Sequence, residues 1–184
     1  MLMVWGGCEE VLLEEPLISE VDREELVAAW EGTWVDENRD STTIIRITEE
    51  QIGRVYLVQW AKGQFETAEF ELHFAAGPDY RYVSFIVPED WEGWYEKLAG
   101  YFLFTWHQNE EGKLVLAPAR IEPFKAAVQE GRLQGKEEEW EDIPFKYLRL
   151  NETSETLLAF LKEIPHEEYF NYDEPMTLFP KTGQ

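Results

Sequence analysis

The chain has 184 residues, enough for one domain with a substantial core. A hydrophobic fraction of 44% and an aromatic fraction of 15% fit a folded globular protein and argue against wholesale disorder. The formal net charge of −22, from 38 acidic and 16 basic side chains, repels phosphate backbones and anionic headgroups, which excludes nucleic acid as a partner.

The first eight residues are an apolar run followed by Gly6, Gly7 and Cys8. Cys8 is the sole cysteine, so no intrachain disulfide can form. No apolar run reaches the ~20 residues needed to span a bilayer. The acidic segment from Glu9 to Glu15 reads as a tether ended by Pro16. Residues 1–18 are therefore expected to be a tether or leader remnant, and 19–184 a single domain.

Ser19 is placed as the N-cap of a first helix, with Glu20, Asp22, Glu24 and Glu25 in its first turns and Val21, Leu26, Val27 and Trp30 as its apolar face. Gly32 supplies the turn from helix into strand. Strands are then expected at 33–37, 42–48, 54–61, 66–75 and 80–87. The fourth alternates cleanly, with Phe70, Leu72 and Phe74 on one face and Glu69, Glu71 and His73 on the other. Residues 90–100 interrupt the series, with Trp91, Trp94, Tyr95 and Leu98 at helical spacing. Further strands at 101–108 and 113–117 bring the number to seven, which suggests a sandwich or an up-and-down barrel.

Pro123 reads as the first residue of a helix that stops at Gly131. The acidic run from Glu137 to Asp142 reads as an exposed loop or an edge strand, followed by a strand within 145–150. Thr153 or Ser154 caps another helix, which Pro165 terminates. The aromatic tail, with Tyr169, Phe170, Tyr172 and Phe179, is expected to dock on the body, with 176–179 as a last strand.

Catalytic chemistry is not legible. His73, His107 and His166 read as surface or structural histidines, and no spacing brings His, Cys or carboxylates together as metal ligands. Asp36, Asn38 and Asp40 lack the central glycine of a calcium loop. Ser41, Ser84 and Ser154 sit in no nucleophile elbow. The chain is read as non-enzymatic, with no metal and no cofactor. Its aromatic strands carry more information, because several are apolar on both faces. One face of a barrel strand lines the interior, and the other must meet a helix, a partner or a membrane. The later helices and tail are expected to cover part of the outer face. A ligand cavity would be lined by Trp34, Tyr56, Trp60, Phe104 and Trp106, with Trp91, Trp94 and Tyr95 as a lid or an exposed patch.

Two resemblances add to this reading. A short helix leading into Gly32-Thr33-Trp34 and a strand meander resembles the start of lipocalin and other calycin barrels. That resemblance implies a mainly β fold, an antiparallel up-and-down barrel with two or three short helices, with Trp34 packed across the barrel floor beneath the helix. Gly6-Gly7-Cys8 resembles the lipobox of bacterial lipoproteins. The order of later elements, including 101–104, 114–116 and 130–135, is similar to uncharacterised bacterial envelope proteins. These imply a lipid anchor at Cys8 and a cell-envelope location, the alternative being a cytoplasmic chain with an incidental thiol. The expected partners are a small apolar ligand in the barrel or, alternatively, a protein bound through the aromatic patch.

Overall fold

The computed structural model describes residues 9–37, 41–49, 51–61, 64–86, 100–140 and 143–181. In chain order the elements are β1 (Glu9–Leu13), α1 (Arg23–Trp30), β2 (Gly32–Val35), β3 (Ser41–Ile47), β4 (Ile52–Ala61), β5 (Gln64–Ala76), β6 (Arg81–Phe85) and β7 (Tyr101–Gln108). They continue as β8 (Leu114–Pro118), α2 (Ile121–Gln129), β9 (Gly135–Trp140), β10 (Ile143–Leu150), α3 (Ser154–Glu163), α4 (His166–Tyr169) and β11 (Met176–Pro180).

Strands β2 to β8 pair antiparallel in sequence order, and β11 closes the ring by pairing with both β8 and β2. The result is a closed, eight-stranded antiparallel barrel of calycin-like architecture, which leaves no unpaired edge in the ring. Alternation decides which side chains enter it. Ile45 and Ile47 of β3, Val55 of β4, Leu72 and Phe74 of β5 and Val83 of β6 are buried in one cluster with α1. That barrel core holds Trp30, Trp34 and Trp106 as well.

A second sheet branches from β7. The second half of β7 pairs with β8, beginning at Phe104 opposite Pro118. Its first two residues, Tyr101 and Phe102, pair instead with Leu13 and Leu12 of β1. Strand β1 runs parallel to β10, and β10 pairs with the acidic edge strand β9. Glu138 of β9 reaches back to the Arg149 guanidinium at 3.0 and 3.1 Å. Repeated charge on an unpaired edge discourages pairing with another chain.

The segment expected to be a tether is therefore structural. Val11, Leu12, Leu13 and Leu17 are each 3% exposed or less. Their burial between β7 and β10 outweighs the solubility of the glutamates on either side. Helices α2, α3 and α4 pack over the outer faces of β5, β6 and β7 and over β1 and β10. Ala75, Tyr82, Leu103, Phe124, Ala127, Leu148, Leu157, Leu161 and Phe170 form this second core. The expectation that late helices and tail cover the outer barrel face is met here.

Several local assignments shift. Asp22, not Ser19, caps α1, accepting from the Glu24 and Glu25 amides at 2.8 and 3.4 Å. The Ser19 hydroxyl instead accepts from the Ala76 amide at 2.7 Å and donates to the Ala76 carbonyl at 3.2 Å, splicing the chain onto the end of β5. Helix α2 begins two residues before Pro123, which the first turn tolerates because its amide needs no partner there. Gly131 does end it, at φ +73°, in a Schellman arrangement: the Arg132 amide donates to the Ala127 carbonyl and the Gly131 amide to Val128. Thr153 caps α3 through the Thr156 amide, and the tail ends in β11 as expected. The insertion read over 90–100 lies outside the described residues apart from Gly100.

Candidate functional site

Helix α1 ends by driving Trp30 into the barrel, where it is 1% exposed. Its ring meets Phe74 edge-on at 5.0 Å and Trp106 at 5.1 Å. The Trp34 indole N–H donates to the Trp30 carbonyl at 2.9 Å. These contacts hold the rings in the edge-to-face geometry that aromatic quadrupoles favour. Trp34 is thus a floor residue beneath α1, and this end of the barrel is filled with side chains.

The other end differs. Phe104, 6% exposed, stacks on Phe85 with centroids 5.2 Å apart. Phe85 also meets Phe70 at 5.6 Å and Phe102 at 6.2 Å. Phe70, Phe85, Phe102 and Met176 are only partly buried while packing on the barrel core. The three phenylalanines form an apolar half-open ring where β6 and β7 leave and re-enter the described chain at 86 and 100, while Met176 lies on β11 opposite Leu116.

The five residues read as cavity lining do not all converge. Trp34, Phe104 and Trp106 are interior. Tyr56 is 38% exposed on the outer surface, paired with Ile44 and Glu69, because its neighbour Val55 takes the inward position opposite Ile45. Trp60 lies near the end of β4 and pairs with Phe65, and its side chain lies outside the described residues. Cys8, Trp91, Trp94 and Tyr95 also lie outside them.

A second concave site lies at the floor end, on the outside. It is an open groove of about 820 Å³ between α1, the β5–β6 turn, the end of β7 and α4. Tyr80, 37% exposed, lies flat on His166, with ring centroids 3.4 Å apart and 4° between planes. The opposite side of His166 faces Phe170 at 5.1 Å. Its Nε2 is 2.7 Å from the Tyr82 hydroxyl and 3.2 Å from the Leu161 carbonyl. Burial lowers the His166 pKa, partly offset by that carbonyl, and burial raises the Tyr82 pKa. Arg81 is held by Glu25, Nε to Oε1 at 2.9 Å and Nη2 to Oε2 at 3.3 Å.

Sequence reasoning did not find this groove. Its walls come from residues 25, 80–81, 106, 167 and 172, which no local pattern links. The Gly77-Pro78-Asp79 turn and the aromatic tail were the available signals. A further hollow of about 1020 Å³ touches Tyr101, Val128, Leu133, Lys136 and Arg149, next to the point where residues 87–99 join the described chain.

The remaining candidate groups are tied into the fold. His73 is 8% exposed, with its Nε2 3.9 Å from Glu71, and burial lowers its pKa. The Ser84 hydroxyl, fully buried, accepts from the Leu17 amide at 3.0 Å. Ser154 accepts from the Ile18 amide and donates to the Pro16 carbonyl. Among the described residues no helix is long and apolar enough to cross a membrane, and no group of three His, Cys, Asp or Glu side chains gathers as a metal site. Comparisons with protein-family models, with curated proteins and with solved structures found no match.

Proposed function

We propose that the chain is a non-enzymatic binding protein of the bacterial cell envelope that takes a small apolar ligand at the barrel end away from α1. The observation that supports this is the ring of Phe70, Phe85 and Phe102, apolar and partly open above a packed floor. A ligand there would continue the barrel core upward from Phe104. Burying apolar surface against such a ring yields roughly 25 cal/mol per Å². The floor, already filled by Trp30 and Trp34, sets how deep the ligand reaches. Membrane tethering through Cys8 belongs to the same proposal and rests on the Gly6-Gly7-Cys8 pattern.

Native mass spectrometry against the denatured mass tests the ligand directly. The expected result is a discrete adduct, or uptake of one fatty acid per chain, together with an emission gain from an apolar fluorescent probe. Phe102→Asp, checked for folding by its thermal melt, should abolish the gain. A clean apo mass with neither uptake nor probe signal would overturn the proposal. Radiolabelled palmitate incorporation in a bacterial host, lost in Cys8→Ala, tests the anchor. The alternative, an assembly protein docking through Trp91, Trp94 and Tyr95, rests on residues outside those described.

A further inference from the structure

His166 is the joint between α3 and the tail that carries β11 into the barrel. Its imidazole is 3% exposed and fills a slot between two rings, Tyr80 from the β5–β6 turn and Phe170 from the tail. Nε2 lies between the Tyr82 hydroxyl of β6 and the Leu161 carbonyl of α3. Nδ1 is buried and has no partner.

The slot suits a neutral ring and not a charged one. A neutral imidazole carries one N–H and an imidazolium carries two. With the single N–H on Nε2, the Leu161 carbonyl accepts it and Nδ1 is a bare lone pair. Protonation then places on Nδ1 a donor that meets no acceptor, together with a buried charge. Both are unfavourable.

The titratable groups around the slot come from four elements. The β5–β6 turn gives Asp79 and Tyr80, β6 gives Tyr82, α4 gives Glu167 and the tail gives Tyr172, while α3 supplies the Leu161 carbonyl. The two carboxylates and the aromatic faces favour a cation. Burial outweighs them and holds the His166 pKa below 6.5. Asp79 and Glu167 are exposed on the floor groove, outside the slot. A neutral ring is stable inside, and a charged ring is stable outside beside those carboxylates. The two places make a two-state element that a proton biases.

We propose that His166 is an acid-released latch for the tail: on protonation the imidazolium leaves the slot for the groove, and α4 with Phe170 undocks from β6 and β8. Three backbone bonds define what is released. The Phe170 amide donates to the His166 carbonyl at 2.9 Å, the Asn171 amide to the Pro118 carbonyl at 2.9 Å and the Arg120 amide to the Tyr169 carbonyl at 2.8 Å. Tyr82 and Phe170 are 1% and 0% exposed while the latch is shut. Acid thus uncovers an aromatic patch on the outer wall of β6.

Amide hydrogen exchange of the full chain tests this at about pH 7.5 and about pH 5, corrected for the intrinsic rate at each. Each pH unit below 6.5 favours the swung-out state by up to about tenfold. Opening at Arg120, Phe170 and Asn171 should rise about fivefold or more at the lower pH, while opening in β3 and β4 rises less than about twofold. His166→Phe keeps a ring in the stack and removes the proton site, so it should hold all three amides within about twofold. The pair Asp79→Asn with Glu167→Gln removes the receiving carboxylates from the surface and should cut the rise by about half or more. The histidine ring resonance that His166→Phe abolishes should titrate below 6.5. No rise at the three amides would overturn the proposal. So would a rise that persists in His166→Phe, one that the carboxylate pair leaves unchanged, or one shared equally by β3 and β4, which is global acid unfolding.

Discussion

The barrel core and the core outside it draw on different parts of the chain. The barrel core is built by neighbours: β2 to β8 pair in sequence order, and Ile45, Val55, Leu72 and Val83 meet across successive hairpins. The outer core is built by strangers. Val11, Leu13 and Leu17 from the start of the chain meet Phe124, Leu148, Leu161 and Phe170 from its last third, on the backs of β5, β6 and β7. The two share those strands, with Leu72, Phe74 and Val83 facing in and Ala75, Tyr82 and Leu103 facing out. The difference teaches that a barrel of local contacts can serve as a wall against which distant segments close. Closing those distant segments costs more loop entropy than closing a hairpin.

The largest effects come from emptying each core in turn. Trp30→Ala removes the ring that fills the barrel floor, and Phe124→Ala removes the ring at the centre of the outer core. Each should cost about 3–5 kcal/mol in urea denaturation. Because β5, β6 and β7 belong to both, the two variants should each unfold in a single transition. Amide exchange in β3 and β4 reports the barrel, and amide exchange in α2 and α3 reports the outer core. Non-coincident transitions in Phe124→Ala would show that the barrel stands alone, which would sharpen the distinction between the cores and remove their coupling.

Next in size is Glu10, on the strand that joins the outer sheet to the barrel. Burial pushes its carboxyl up to about 7 from 4.5. The folded chain therefore keeps a proton that the unfolded chain releases, and the stability this provides is present below pH 4.5 and lost as pH rises to about 7. His73 and His166 act in the opposite sense. Their pKa values fall below 6.5 on burial, so the unfolded chain takes up their protons first and stability is lost as pH falls below about 6.5. Glu10→Gln should raise stability by about 1–3 kcal/mol at pH 8 and change it little at pH 4. An equal gain at both pH values would mean that the charge is not what Glu10 costs. Slightly smaller is Ser84→Ala, which strips the Leu17 amide of its acceptor inside the seam. It should cost about 1–2 kcal/mol by thermal melt, with exchange accelerated at Leu17 and not at the barrel floor.

The same contrast explains what could be read from residues alone. The barrel strands were legible because each hairpin states its own alternation, and so were the Gly131 stop, the Thr153 cap and the closing strand at 176–180. Strand β1 was not legible. Three apolar residues flanked by glutamates look solvated, and only the slot between β7 and β10 makes the segment a strand. Ser19 looked like a cap because its alternative partner, Ala76, is 57 residues away. The floor groove was hidden for the same reason, since Tyr80 and His166 meet only after the tail has docked.

The smallest expected effect concerns the inside and outside of β4. Val55 and Leu57 alternate with Tyr56, Val58 and Trp60, so either set suits an interior. Pairing with β3 settles the question for the middle of the strand: Ile45 and Val55 face in together, and Tyr56 faces solvent beside Ile44 and Glu69. An exposed ring at that position contributes little to the core, so Tyr56→Ser should change stability by less than about 0.5 kcal/mol. Apolar-probe binding should also be unchanged, whereas Phe102→Asp loses it. If Tyr56→Ser abolished probe binding while leaving the melt unaltered, the ligand would sit against the outer wall of β4. The outside of the barrel, not its half-open aromatic end, would then be the surface that recognises apolar molecules.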